Sequence, residues 1–321
     1  MTSSPAPLGE PAGGPGVLRV GTRGSALALA QSGQIAGRIA GHARTSVDLV
    51  TVRTEGDVNL GPLASIGGTG VFVTGVRTAL LAGRVDVIVH SLKDLPTAAA
   101  DGIALASVPV RENPFDALCA RDGLTLDTLP TGARVGTGSP RRAAQLLLRR
   151  PDLEVVPVRG NVDTRLGLVT SGTVDAVVLA VAGLARLGRT ERITQQFGPA
   201  EMLPAPAQGA LAVETLTATA DGGPFAGALR TVDDQDTRAA VVAERALLSV
   251  MEAGCTAPLG AFAAVHDGEL ALAGTVLAVD GSREIRDEIR GPVADAAGVG
   301  AALARRMLSA GAAALLAQPR T

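Results

Sequence analysis

Apolar residues in this chain fall into short runs separated by longer amphipathic stretches. Residues 17–22 form a brief apolar run that reads as a strand, and Ser25 suits the N-cap of a helix reaching about Gly41. Residues 47–53 alternate with a period of two, as a strand does. A Gly-rich connection at 61–70 and a helix at about 73–82 follow. Next comes a continuous apolar strand at 85–89 that runs into His90, Ser91, Leu92, Lys93 and Asp94. The order then returns, with strands at 134–136, 153–158 and 175–180 and helices at 140–150 and 161–170. Strands alternating with helices predict mainly parallel sheets covered on both faces, and two such units predict two α/β domains.

The rest of the chain has a different rhythm. Pro204 to Gly209 reads as a hinge or crossover. A strong helix is expected at 237–253, with Asp236 as a possible N-cap and Gly254 in its left-handed C-terminal position. Residues 270–279 and 283–290, joined by Asp280 and Gly281, predict a hairpin, and an Ala-rich amphipathic helix follows at 293–317. These make a small α+β third domain. The expected boundaries are a disordered tail at 1–16, a first domain at 17–111 with 205–231, a second at 112–204 and a third at 232–321.

Composition narrows the function. Hydrophobic residues make up 46% of 321, but aromatics only 2%, with no Trp or Tyr, so the cores are aliphatic and base stacking on aromatic platforms is disfavoured. A net charge of −2 supplies no field to draw in nucleic acid or an anionic membrane. No apolar stretch is long enough to span a bilayer. The first sixteen residues lack the basic and apolar regions of an export signal. The two distant cysteines give neither a disulfide framework nor metal spacing. A reducing, cytoplasmic location is expected. Of 29 Lys and Arg residues, all but Lys93 are Arg, a bias that GC-rich coding alone produces.

The placement of those arginines says more than their number. Ligands of open α/β sheets bind beyond the carboxyl ends of the strands. There the chain sets Arg23 and Ser25; Lys93 and Asp94; Thr137, Ser139, Arg141 and Arg142; and Arg159 and Arg165. A helix N-terminus beside a guanidinium fork suits a carboxylate or phosphate. One arginine alone is ordinarily a solvated surface residue. Four clusters at equivalent strand ends predict a ligand with several acid groups. Gly67–Gly70 lacks the Lys-Ser/Thr ending of a P-loop and reads as a mobile lid. Asp94 is either a general acid/base and stabiliser of developing positive charge, or half of a structural salt bridge. Cys255 follows a helix C-terminus, which does not activate a thiol, so its chemistry leaves a buried inert thiol or a permanent thioether open. Cys119 reads as core, His42 and His266 as surface, and His90 as a structural donor or a cleft residue.

Seven motifs in order carry a family resemblance: RVGTRGS at 19–25, HSLKDLP at 90–96, VGTGSPRR at 135–142, RGNVDTRL at 159–166, LAVAGLARLG at 179–188, PAQGALAVE at 206–214 and AERALLSVMEAGC at 243–255. From about Leu18 onward the chain resembles the porphobilinogen deaminase (hydroxymethylbilane synthase) family. The resemblance implies two periplasmic-binding-protein-like domains facing a cleft, and a third that carries a dipyrromethane cofactor in thioether linkage to Cys255. The family joins four porphobilinogens head to tail, releases ammonia at each step and hydrolyses off the linear tetrapyrrole hydroxymethylbilane. It is usually monomeric. By position, Arg23, Arg141, Arg142, Arg159, Arg165 and Arg186 match residues that grip carboxylates, and Ser25, Thr137, Ser139 and Gln208 match polar contacts. Asp94 matches the catalytic carboxylate, Lys93 a cofactor-side contact and Phe72 a residue near the lid. Ser65, Thr69 and Thr74 stand where some relatives have lysines, Gly138 replaces a usual Ser, Asp163 a common Gly, and Ala253 a Gly. A non-catalytic two-lobed anion-binding protein would use the same strand ends, but would need neither Asp94 nor a modified Cys255.

Overall fold

The computed structural model describes residues 16–52, 73–253 and 257–317, and these build three sheets. The first contains β1 (Val17–Thr22), β2 (Ser46–Thr51), β3 (Val87–Ser91), β4 (Ile103–Ser107) and, from much later in the chain, β10 (Leu211–Leu216). Helices α1 (Ala26–Ala43) and α2 (Thr74–Leu81) connect its early strands. The second contains β5 (Asp116–Ala120), β6 (Arg134–Gly136), β7 (Glu154–Val156), β8 (Ala176–Ala180) and β9 (Gln195–Gln196), with α3 (Pro140–Arg149), α4 (Val162–Thr170) and α5 (Val181–Arg186).

The two five-stranded sheets share one plan, with orders β2-β1-β3-β10-β4 and β7-β6-β8-β5-β9. In each, all strands but one run the same way; the reversed strands are β10 and β5. Each reversed strand is the first that the chain forms after crossing from the other sheet, β5 after residues 108–115 and β10 after 197–210. The crossover expected at 204–209 lies within the second passage. Both faces of the central strands are apolar, as strands covered on two sides require. Leu18, Val20, Val87 and Val89 pack against Ile35 and Ile39 of α1, whereas Ile88 faces Val76 and Leu80 of α2. In the second sheet Leu118, Val135 and Val178 face Leu146 of α3, whereas Val177 and Leu179 face α4 and α5.

After α6 (Thr217–Ala220) and α7 (Ala226–Val232) comes the third unit. It holds α8 (Gln235–Val250), an antiparallel sheet of β11 (Leu259–His266), β12 (Glu269–Leu277) and β13 (Glu284–Pro292), then α9 (Ala296–Ser309) and α10 (Ala312–Leu316). Several expectations are corrected here. The cap of α8 is Asp234, whose carboxylate accepts the Thr237 N–H at 2.8 Å, so the helix starts before Asp236. The expected terminal helix is two helices broken at Gly311, and β11 precedes the expected hairpin. The hairpin turn is longer than Asp280-Gly281, because Ala278 already pairs with Arg283. Gly281, at φ +74°, lets this turn touch the α3 backbone: a Cβ there would lie 2.6 Å from the Leu148 nitrogen. Gly254, the other end signal of α8, lies outside the described residues, as do residues 1–15 of the expected tail, the connection at 61–70 and, within it, the expected lid at 67–70.

Glu244 of α8 joins the three units. It is fully buried, ion-paired with Arg111 of the first crossover at 2.7 Å, and accepts N–H groups from Ala207 of the second crossover and Ala263 of β11. The Arg111 Nε donates to the Gln208 carbonyl at 2.8 Å, and its guanidinium lies 5.7 Å from the centre of the Phe262 ring. A second buried carboxylate, Glu214 of β10, receives Arg77 of α2 and lies 3.3 Å from His90 Nε2. Burial would push the Glu214 carboxyl up, but nearby His90 and the hydrogen bonds from Arg77 outweigh it and hold it at about 2.

Because its folded value is depressed, Glu214 contributes stability above the ordinary carboxylate range and loses it as pH falls from 4.5 towards 2. The contribution at neutral pH is on the order of 3 kcal/mol. Glu214→Gln is expected to lower the urea midpoint at pH 7 and to flatten the loss of stability below pH 4.5. An unchanged acid slope would remove Glu214 from that role.

Candidate functional site

The carboxyl ends of the parallel strands carry the expected residues. At β1, Arg23 and Ser25 are half-buried, and the Ser25 hydroxyl accepts the Ala28 N–H at 3.3 Å, so it is used first as the cap of α1. α1 and α5 approach one another across the gap between the sheets. At β3, a single 3-10 turn, Leu92–Asp94, presents Lys93 and Asp94. Asp94 is exposed, and among the described residues no salt bridge holds its carboxylate.

At β6, Thr137 is buried and its hydroxyl accepts the Ser139 N–H at 3.1 Å. Ser139 occupies the N-cap of α3 before Pro140, yet its hydroxyl makes no capping bond and stays available. The missing side chain at Gly138 has a steric reason in this chain: a Cβ there would lie 2.8 Å from the Val158 carbonyl oxygen. At β7, Arg159 is exposed, and Arg165 of α4 donates to the Gly160 carbonyl at 2.9 Å. Asp163 points away from this group and pairs with Arg189 at 2.9 Å, as an outward acid in the first turn of α4.

Arg141 and Arg142 are not surface forks. They are 3% and 6% exposed, and they close on Asp116, the first residue of β5, which the sequence reading passed over. Arg141 reaches one Asp116 oxygen at 2.8 Å and Arg142 the other at 2.6 Å. Arg141 also donates to the Leu203 carbonyl at 2.6 Å and Arg142 to that of Val178 at 3.0 Å. Gln208 adds its amide to Asp116 at 2.9 Å, and its carbonyl oxygen receives Lys93 Nζ at 3.4 Å. Burial would raise the Asp116 carboxyl, but Arg141, Arg142 and the hydrogen bonds from Arg142 and Gln208 hold it far below the carboxylate range. The signal was present: a lone acid opening an apolar strand must find a buried partner.

Lys93, Gln208, Asp116, Arg141 and Arg142 thus form one connected polar group beside Asp94. Arg165 joins it through the field: burial, then Arg142 and Arg159, lower its pKa. Burial likewise lowers Lys93, partly offset by Asp94. Arg186 of α5 donates to the Gly209 carbonyl at 2.8 Å, and burial lowers its pKa. The Nε atoms of Arg141 and Arg186 are buried with no hydrogen-bond partner among the described residues. Cations depressed by burial and mutual repulsion are relieved by an added anion. This donor set therefore fits a ligand with several carboxylates. Cys119, in β5, is a buried core thiol raised to about 11 by burial. Cys255 and Phe72 lie outside the described residues.

Residues 18–221 match the family description "Porphobilinogen deaminase, dipyromethane cofactor binding domain", and residues 238–309 match "Porphobilinogen deaminase, C-terminal domain". The porphobilinogen deaminase of Leifsonia xyli is 54% identical over 271 residues, covering 84% of this chain and 82% of that protein. That of Nocardia farcinica is 51% identical over 310 residues, covering 94% and 88%. Among solved structures, an arginine-specific periplasmic binding protein of Salmonella typhimurium is similar at 14% identity and a TM-score of 0.38, covering 67% of this chain and 92% of that one.

Asp116→Asn would leave two buried guanidinium groups without their counter-charge, a loss expected to cost about 3–5 kcal/mol. Thermal or urea denaturation of the full chain measures it. A midpoint equal to that of the wild type would show that another group neutralises the pair.

Proposed function

The chain belongs to the porphobilinogen deaminase family, and on that premise we propose that it condenses four porphobilinogens into hydroxymethylbilane with Asp94 as the catalytic carboxylate and Cys255 as the cofactor anchor. The supporting observation is that motifs far apart in sequence meet in one polar group, with Asp94 exposed at its edge. The domain boundaries that go with this reading are 17–111 with 205–231, 112–204 and 232–321. The same reading takes the chain to be a cytoplasmic monomer acting on a small molecule. No described helix is long and apolar enough to cross a membrane.

The family's dipyrromethane, when bound, supplies the pyrrole to which the first substrate unit is joined. Lys93, Thr137, Ser139, Arg141, Arg142, Arg165 and Arg186 would hold it and the growing chain, with Arg23, Ser25, Arg159, Gln208 and Phe72 as further contacts. Each added unit brings an acetate and a propionate, so bound negative charge grows with every step. The arginines offset it while holding each ring in place, which is the entropic part of the catalysis. Asp94 stabilises positive charge on pyrrole nitrogen and moves a proton as ammonia leaves. Its exposure, next to a lysine whose charge burial disfavours, leaves the carboxylate open to substrate. A solute-binding protein would have no use for that carboxylate.

Purified wild type should show an intact mass above that of the bare chain, and Cys255→Ala the bare mass. Active enzyme at the bare mass would remove the covalent anchor. Asp94→Asn should keep its fold and its adduct while kcat falls below about 1% of wild type. Arg141 and Arg142 replaced together by Ala should block cofactor assembly or elongation, read from the masses of enzyme-bound intermediates.

A further inference from the structure

The turn that presents Asp94 is short of internal support. Its one closing bond runs from the Leu95 N–H to the Leu92 carbonyl at 3.2 Å, and the Leu92 N–H is held by Ala210 at 3.0 Å. Further support comes from the third unit. Arg245 of α8 donates Nη1 to the Leu95 carbonyl at 2.9 Å and to that of Leu92 at 3.4 Å, and Nη2 to that of Pro96 at 2.6 Å. One helical turn earlier, Val241 shares a closed apolar cluster with Leu92 and Leu95. Residues four apart lie on one helix face, so a single face of α8 grips the turn by both its backbone and its side chains. The neighbouring residue, Glu244, fixes α8 to both crossovers.

We propose that Arg245 is a positioning residue for Asp94: through three carbonyls that bracket Lys93 and Asp94, the third unit sets where the carboxylate stands. This rests on the assignment of Asp94 as the catalytic carboxylate. The guanidinium fork matters because it spans several carbonyls at once, whereas a lysine ammonium is a single point of attachment. Asp94 is itself exposed, so its position is inherited from the turn backbone. A third unit that carries the cofactor would thereby align the reacting carboxylate by the same helix.

The test compares full-length wild type, Arg245→Gln, Arg245→Lys, Val241→Ala, Asp94→Asn and the Asp94→Asn/Arg245→Gln double variant. Intact mass, denaturation midpoint, and kcat and KM for porphobilinogen are measured for each. Arg245→Gln should carry a full adduct, lose about 10- to 100-fold in kcat and change KM by less than about threefold. Arg245→Lys should recover part of the loss. The double variant should turn over no more slowly than Asp94→Asn, because position is irrelevant once the carboxylate is gone. Wild-type kcat in Arg245→Gln, a loss explained by missing adduct, or an equal further loss in the double variant would each overturn the proposal. If Arg245→Gln does not fold, Val241→Ala decides: a severalfold fall in kcat at full adduct supports the proposal, and none overturns it. Wild-type turnover in Asp94→Asn would instead sink the catalytic assignment itself.

Discussion

Two guanidinium groups cannot be buried side by side without an anion between them. The remaining architecture of the site follows from the way this chain meets that constraint. Asp116 supplies the charge, one oxygen to Arg141 and the other to Arg142. Because Asp116 opens β5, the strand formed after the first crossing, the arginines are fastened to the junction between sheets and not to their own helix alone. Gln208, on the return crossing, closes the group and passes it on to Lys93. Two cations against one anion leave a net positive centre, which a polyanionic ligand can use without displacing the internal pair.

The same junction is tied a second time, from the other side. Glu244 collects Arg111, Ala207 and Ala263, one group from each crossing and one from the third sheet. Arg111 also reaches the Gln208 carbonyl, so the two buried carboxylates, Asp116 and Glu244, are linked through two residues, Arg111 and Gln208. Movement of any unit is therefore felt at the crossings, where the chain has least freedom: a Cβ at Gly209 would overlap the Glu112 carbonyl. The helix that supplies Glu244 supplies Arg245 as well, so the junction and the turn that carries Asp94 are held by one element.

Much of this was legible in the sequence, and the omissions have physical causes. The strand at Val17–Thr22, the cap at Ser25, the strand at Arg134–Gly136 and the helix beginning at Pro140 follow from local rules and stand where those rules put them. The polar strand ends were readable for the same reason. β4, β9 and β10 were not anticipated, because no local signal specifies a strand that pairs with distant residues; β11 was missed although Asp267-Gly268 is a local hairpin signal joining it to β12. Glu214 and Glu244 were missed for a related reason: each looks like an ordinary acid until the fold brings an arginine to it. In the sequence Arg141 and Arg142 look like open anion-binding forks, whereas the fold buries both against Asp116. Their burial depends on a partner twenty-odd residues away.

The reversed strands have a consequence for how the molecule is made. β3 and β4 are not neighbours; β10 lies between them, with Leu211 paired to Ser91 and Leu216 to Ile103. As the chain leaves the ribosome from its N-terminus, the whole second sheet is synthesised before that gap can be filled. Until then the first sheet presents two unpaired edges, the kind of surface that associates with other chains. Its completion also waits on contacts of large sequence separation, which are slow to form. The crossing that ties the finished enzyme together is thus also what leaves its first half unfinished during synthesis, and in need of protection until residue 216 has emerged.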